Sequence, residues 1–90
     1  MNIKYSTAFK KQYEKTPKKI QEKVKGRISL FVQNPMNQSL NNHALAGKFQ
    51  GCRSINITGD WRVIYSIRLS LKSEQEYYFE LIGTHSQLYR

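Results

Sequence analysis

The sequence predicts an α+β domain in which two N-terminal helices pack on an antiparallel β-sheet. Two observations lead to this prediction. In the first third of the chain, apolar residues recur three or four positions apart, as on the buried face of a helix. From Cys52 onward they alternate with polar residues, as in half-buried strands. Helices followed by antiparallel strands are typical of the α+β class. With 90 residues, the chain is expected to form a single domain, residues 1–90.

The chain begins with a predicted short strand and a first helix. Residues 3–5 alternate between apolar and polar side chains, which favours a strand. Ser6 or Thr7 follows, and a hydroxyl at either position can cap the N-terminus of a helix over residues 8–15. Within that helix Phe9 and Tyr13 are four positions apart, so they are expected to share its buried face.

A second helix is predicted after Thr16 and Pro17. Thr16 is expected to be its N-cap, and Pro17 its first residue, because the missing N–H of proline costs nothing there. Gly26 is expected to weaken this helix without ending it. The dipeptide formed by Asn34 and Pro35 is expected to end it.

The C-terminal part is predicted to be a loop followed by three strands. Residues 34–51 are rich in Asn, Gln, Ser and Gly, which indicates a long connection. Residues 52–57 and 61–67 alternate around a short turn and predict a β-hairpin. Residues 68–75 are expected to be a polar turn, and residues 77–82 the last strand. The predicted order is β-α-α-β-β-β.

Charge is the most informative feature of the composition. Fifteen Lys and Arg residues against six Asp and Glu give a net charge of +9, which favours a polyanionic partner such as nucleic acid. Residues 1–25 hold eight lysines against Glu14 and Glu22, although any single lysine is simply solvated in the alternative interpretation. The lone Cys52 cannot form an internal disulfide and is expected to be a small buried residue. Together with the absence of a signal-peptide or membrane-helix pattern, this predicts a cytoplasmic protein that does not bind membranes.

The chemistry-bearing residues favour RNA cleavage without a metal or cofactor. The sequence has no Gly-rich phosphate loop, no HExxH, no GxSxG and no carboxylate pair at helical spacing. Cleavage that uses the 2′-hydroxyl needs a base, an acid and a cation near the phosphorus. Histidine suits both proton-transfer roles. The candidates lie in the C-terminal half: His43, Asp60, Arg62, His85 and Tyr89.

Each candidate also has a purely structural interpretation. On spacing alone, a loop histidine such as His43 is more often a surface or capping residue, and Asp60 after a glycine is more often a turn residue. Arg62 can be a solvent-facing strand residue, and His85 a cap at the end of a strand. Trp61 is most simply a core residue. Composition and spacing alone therefore predict a cytosolic, nucleic-acid-associated α+β domain.

Three segments of the C-terminal half carry a family resemblance. Residues 43–53 (HALAGKFQGCR), 57–65 (ITGDWRVIY) and 83–89 (GTHSQLY) resemble, in this order, motifs of the RelE/ParE superfamily of bacterial toxins, most closely its YafQ-like branch. The resemblance implies a RelE-like fold and a toxin of a type II toxin–antitoxin module. It also implies an endoribonuclease that cleaves mRNA in the ribosomal A site, with the 2′-hydroxyl as nucleophile.

By motif position the resemblance also implies site residues. His85 is the leading proton-transfer residue and general acid, and either Asp60 or His43 is the base. Arg62 stabilises charge on the phosphorane, and Tyr89 positions a base or phosphate. Lysines of both helices and a few residues near the motifs would contact RNA: Lys10, Lys11, Lys15, Lys18, Lys19, Lys48, Arg53 and Trp61.

The sequence departs from the family pattern at two positions. Asn56 stands where YafQ-type toxins can have a catalytic histidine, and Leu81 where some relatives have an arginine. Arg62 is our candidate for supplying the missing positive charge. Two other functions remain open: a ParE-like toxin that inhibits DNA gyrase without nuclease activity, and a degenerate toxin that only binds antitoxin or RNA.

The implied partners follow from the family. They are a cognate acidic antitoxin and, on the 70S ribosome, mRNA and ribosomal RNA. The protein is expected to be a monomer when free and to form a hetero-oligomer with its antitoxin.

Overall fold

The computed structural model describes residues 1–89 and has the predicted α+β architecture. Its strands are β1 Asn2–Tyr5, β2 His43–Ala44, β3 Cys52–Asn56, β4 Trp61–Leu69 and β5 Gln75–Thr84. Its α-helices are α1 Thr7–Glu14, α2 Lys18–Gln33 and α3 His85–Leu88, and single 3-10 turns span Gln38–Leu40 and Gly47–Phe49. The five strands form one sheet in the order β1-β5-β4-β3-β2. The sheet is mixed, because β1 runs parallel to β5 while the other pairs are antiparallel.

The first helix begins as predicted, whereas the predicted cap of the second helix is wrong. Ser6 caps α1, since its Oγ accepts a hydrogen bond from the backbone N–H of Phe9 at 2.9 Å. Thr16 does not cap α2. Its buried hydroxyl instead donates to the carbonyl of Gln12 at 2.8 Å, one turn earlier in the chain. Pro17 is the N-cap residue, in an extended conformation just before the helix. A threonine at the end of a helix finds a carbonyl four residues back within reach, and this acceptor competes with the cap.

The second helix continues through Gly26 and ends at Gln33, as predicted. Within residues 1–89, no helix is both long and apolar enough to cross a membrane.

The segment predicted as a long loop contains additional structure. β2 forms the edge of the sheet beside β3, and two 3-10 turns flank it. A two-residue strand is too short to leave an alternating pattern, so the sequence does not reveal it. The predicted polar turn at 68–75 is also shorter than expected, because β4 extends to Leu69 and β5 begins at Gln75. Both strand ends lie in the exposed part of this hairpin, where polar residues are tolerated on both faces.

The core lies between the helices and one face of the sheet, here called the helix face. Phe31 of α2 is fully buried at its centre. Its ring packs edge-to-face on Tyr65, Tyr77 and Phe79, with centroid distances of 4.9, 5.8 and 5.6 Å. Burial of such aromatic surface is the main stabilising contribution in a domain of this size.

The outer edge of β5 is completed by side chains where β1 ends. β1 pairs with β5 only as far as Phe79. Beyond that point Ser6 Oγ donates to the carbonyl of Glu80 at 2.6 Å, and Gln12 Oε1 accepts from the N–H of Ile82 at 2.9 Å. Gln87 Oε1 accepts from the N–H of Thr84 at 2.8 Å. Polar side chains of α1 and α3 thus take the place of a further strand along this edge.

Candidate active site

The face of the sheet opposite α1 and α2, here called the second face, carries several of the predicted site residues. Successive strand residues point to opposite faces, and Val63 belongs to the core cluster, so Arg62 points away from the helices. The register places Arg62 opposite Asn56 on β3 and Gly83 on β5. His43 on β2 lies opposite Ser54, the next residue of this face on β3. His43, Asn56 and Arg62 therefore share one surface.

Asp60 and His85 meet where the β3–β4 turn contacts the start of α3. The backbone N–H of His85 donates to the carbonyl oxygen of Asp60 at 2.9 Å and lies 3.4 Å from its Oδ1. The turn itself is held by Thr58, whose Oγ1 accepts from the N–H groups of Asp60 and Trp61 at 3.3 and 3.1 Å. The structure thus brings together two residues that are separated in the sequence. The described contact joins the Asp60 carboxylate to the His85 backbone and not to its imidazole.

Aromatic rings extend the site from His85 towards the 46–50 loop. The imidazole of His85 lies 4.7 Å from the ring of Tyr89, centroid to centroid. Tyr89 in turn contacts Phe49 edge-to-face at 5.8 Å, and the Lys48 Nζ lies 5.1 Å from the Phe49 centroid. The sequence predicts His85, Tyr89 and Lys48 at the site but not Phe49. The only sequence signal for Phe49 is its position as an aromatic residue inside the 43–53 motif.

Arg62 is held near the turn by the backbone. Its Nη1 donates to the carbonyl of Thr58 at 2.8 Å and is 3.3 Å from the carbonyl of Trp61. These bonds use one of the two terminal nitrogens of a guanidinium that carries five N–H donors. The positive charge is therefore anchored within the turn that also positions Asp60.

His43 joins the surface from the opposite edge of the sheet. Its side chain is exposed, and its Nδ1 lies 2.8 Å from the carbonyl oxygen of Asn41. A carbonyl can only accept, so Nδ1 carries the proton, and in the neutral ring Nε2 is left with its lone pair. The ring contacts described for residues 1–89 do not extend from His85 to His43. His43 therefore shares the face but belongs to a separate group.

Two predicted RNA-binding residues lie on the helix face. Arg53 lies opposite Tyr65, and its Nε donates to Asn42 Oδ1 at 2.8 Å. Trp61 packs partly against the core, in agreement with its structural interpretation, and contributes to a cavity of about 340 Å³ beside α1 and α3. The alternating pattern of β3 already predicts the position of Arg53, because Arg53 and the buried Ile55 are two residues apart and so point to the same face.

The predicted RNA-binding lysines of the helices are exposed and lie on elements that cover the helix face. Lys15 lines the same cavity as Gln87 of α3. The others lie along α1 and α2: Lys10, Lys11, Lys18 and Lys19. Positive charge is thus distributed around the domain, and much of it lies away from the second face.

The second face also contains buried polar atoms without partners. Among the described residues, Ser54 Oγ and Asn56 Oδ1 are buried and accept or donate no hydrogen bond.

At the far end of this face Glu80 forms an ion pair with Arg68 at 2.7 Å. Partial burial raises the pKa of the Cys52 thiol, the Glu80 carboxylate raises this pKa further, and Arg68 opposes the effect. Cys52 is half-buried, so it is less enclosed than predicted.

Comparison with known protein families gives a match over the whole length of the sequence. The family model of the YafQ bacterial toxins of type II toxin–antitoxin systems matches residues 1–90. This chain belongs to the YafQ toxin family. The resemblance found in the three C-terminal motifs is therefore confirmed. A search of curated proteins gives no match.

Solved toxin structures share the fold of this YafQ-family chain. The crystal structure of YafQ from E. coli strain BL21(DE3) matches with a TM-score of 0.80 and 26% identity, covering 99% of this chain and 98% of that chain. YafQ in the E. coli DinJ–YafQ toxin–antitoxin complex matches with a TM-score of 0.71 and 25% identity, covering 99% and 97%. A YoeB/ParE toxin from Agrobacterium tumefaciens, at 22% identity and a TM-score of 0.75, covers 94% and 99% and supports the fold alone.

Within this YafQ-family toxin, the two residues predicted to depart from the family pattern lie close to the candidate site. Asn56 neighbours Arg62 across the sheet, and Leu81 lies opposite Ile64 in the next row. Residues 1–89 contain no group of three or more His, Cys, Asp or Glu side chains that could hold a metal ion. The polar side chains that the structure places on the second face or beside the β3–β4 turn are His43, Asn56, Asp60, Arg62, His85 and Tyr89.

Proposed function

We propose that this YafQ-family toxin is an endoribonuclease that cleaves mRNA in the ribosomal A site and so inhibits translation. The observation that supports it best is the cluster of Asp60, His85 and Tyr89, which unites a carboxylate, an imidazole and an aromatic ring at one edge of the second face. A protein that only blocks a partner has no need of a carboxylate and an imidazole brought to one edge of the sheet by the contact between the β3–β4 turn and α3.

The proposed reaction is an in-line attack by the ribose 2′-hydroxyl. A base, either Asp60 or the Nε2 of His43, takes the hydroxyl proton as the 2′-oxygen bonds to phosphorus. The bond from phosphorus to the 5′-oxygen breaks, and His85 as general acid gives that oxygen a proton. Arg62 stabilises the negative charge on the phosphorane, and its anchored position reduces the reorganisation that this requires. Tyr89 positions a base or phosphate beside His85.

The proposed partners follow from charge and from the E. coli relative. YafQ of E. coli forms a complex with the antitoxin DinJ. With a net charge of +9, this toxin is suited to an acidic cognate antitoxin in a hetero-oligomer, and to ribosomal RNA and mRNA when it acts as a free monomer. With such partners, its proposed location is the cytoplasm.

The test is mRNA cleavage in a purified bacterial translation system. Wild type, His85→Ala and a matched surface variant, Lys72→Ala, are compared, with products mapped by primer extension and a ribosome-free reaction alongside. Lys72 is exposed in the β4–β5 turn, at the opposite end of β5 from His85 and Tyr89. We expect ribosome-dependent cleavage by wild type and Lys72→Ala, and at least a hundredfold loss in His85→Ala, the usual lower bound for a proton-transfer group.

The other outcomes assign the alternative functions. Intact mRNA with folded wild type contradicts the nuclease proposal, and inhibition of gyrase supercoiling would then identify a ParE-like toxin. Failure in both assays, with antitoxin or RNA still bound, would identify a degenerate toxin, in which Asn56 and Leu81 are the residues to restore first.

A further inference from the structure

Phe49 connects the 46–50 loop to the end of the chain through a series of ring contacts. Its ring meets Tyr89 at a 5.8 Å centroid distance and an interplanar angle of 89°. Tyr89 meets the imidazole of His85 at 4.7 Å. Phe49 is half-buried and lies outside the hydrophobic core cluster. Its described ring contacts are therefore to the site and to Lys48 rather than to the interior.

The 46–50 loop has a defined backbone that points Phe49 towards α3. Gly47 and Gly51 have φ angles of +65° and +91°, a backbone conformation that residues other than glycine rarely adopt. The backbone N–H of Gln50 donates to the carbonyl of Gly47 at 3.0 Å, which closes the 3-10 turn between them. Just before the loop, the backbone N–H of Leu45 donates to the carbonyl of Cys52 at 3.0 Å. The direction of the Phe49 ring is thus set by the backbone of the loop.

The C-terminal helix needs such support. α3 has four residues, and a single turn is not stable by itself. Its N-terminus is fixed by the capping box of Thr84 and Gln87, and Leu88 is buried. The imidazole of His85 is exposed, and the ring contact described for it is with Tyr89, the C-cap residue. The orientation of the imidazole therefore depends on where Tyr89 is held.

We propose that Phe49 is a positioning residue for proton transfer by His85: it fixes the Tyr89 ring, and Tyr89 fixes the imidazole. This inference rests on the proposed nuclease function for its consequence in catalysis. Its structural part concerns the free protein alone. The Lys48 ammonium beside the Phe49 ring adds a cation–aromatic contact that limits movement of the ring.

The experiment uses Phe49→Leu, which removes the ring, and Phe49→Tyr, which keeps it. Tyr78→Leu is the matched control, because Tyr78 is also a half-buried aromatic residue with a cation, Arg68, 4.2 Å from its centroid. Tyr78 pairs with Ser66, far from α3. All variants are first compared by urea unfolding. The chain has only two histidines, so the imidazole NMR signals of the free toxin are assigned with single His→Gln variants.

We expect Phe49→Leu to shift and broaden the His85 imidazole signals while those of His43 stay in place. Single-turnover cleavage on saturating programmed ribosomes should slow by about two- to tenfold, the range that corresponds to one aromatic pair, with KM unchanged. Phe49→Tyr should restore both signals and rate, and Tyr78→Leu should change neither.

Three outcomes would overturn the proposal. Unchanged His85 signals in Phe49→Leu would show that the ring does not control the imidazole. A raised KM with an unchanged rate at saturation would show that Phe49 contacts the RNA directly. Equal effects in Tyr78→Leu would show a general loss of stability. If the wild type does not cleave mRNA, the proposed function fails, whereas the NMR comparison still decides whether Phe49 positions His85.

Discussion

Gln12 should contribute more to stability than a half-buried polar helix residue usually does. Its Oε1 accepts a hydrogen bond of 2.9 Å from the backbone N–H of Ile82, in the part of β5 that β1 does not reach. Ile82 is only 2% exposed, and Gln12→Ala removes the hydrogen-bond partner of its backbone N–H. An orphaned buried donor costs about 1–3 kcal/mol. For a domain of this size, that cost lowers Tm by about 4–24 °C.

Gln21→Ala is the matched control. Gln21 Nε2 donates to the carbonyl of Tyr13 at 2.7 Å, and that carbonyl also accepts from the N–H of Thr16 at 3.0 Å. Its removal therefore leaves no orphaned group, and we expect a loss below about 1 kcal/mol. Both variants place alanine in a helix, so propensity effects are favourable and similar.

Thermal and urea unfolding measure the free energy, and hydrogen exchange measures the Ile82 amide directly. We expect faster exchange at Ile82 in Gln12→Ala than in wild type or Gln21→Ala. The reasoning is refuted if Gln12→Ala costs no more than Gln21→Ala while the Ile82 amide keeps its protection.

Two further predictions concern the second face. Ser54→Ala removes a buried hydroxyl that has no partner, so stability should stay the same or rise by up to about 1 kcal/mol; a loss above 1 kcal/mol in urea unfolding would reveal a bonding partner. Glu80→Gln removes the carboxylate that helps to raise the pKa of the Cys52 thiol, so more thiolate should be present at pH 8. Iodoacetamide should therefore alkylate this sole cysteine faster in Glu80→Gln than in wild type, and a slower rate would contradict the assigned effect.

The sequence predicts the elements whose buried pattern is long. α2 and β4 follow from periods of 3.6 and 2 that extend over many residues, and the helix end before Asn34 follows from Pro35. Where the sequence signal is short or two local hydrogen bonds compete, the prediction missed an element or named the wrong cap. β2 has two residues, and the Thr16 hydroxyl can either donate to the carbonyl of Gln12 or accept from a backbone N–H at the start of α2.

The site was predicted mainly from motifs, and its geometry comes from long-range contacts. Nothing local in the sequence indicates that Asp60 meets the backbone of His85, or that Phe49 packs on Tyr89. Side-chain parity along β3 and β4 does distinguish the two faces. That parity places Arg53 and Trp61 on the helix face, although both were predicted to bind RNA.

The parallel pairing of β1 with β5 has a consequence for the time at which a newly made toxin becomes active. Asn2–Tyr5 cannot find their partners, residues 76–79, until most of the chain has been synthesised. His85 and Tyr89, on the proposed function, are added later still. At about 5–20 residues per second, several seconds pass before the site can exist. On the proposed function, a toxin molecule therefore cannot cleave mRNA before its own synthesis is nearly complete.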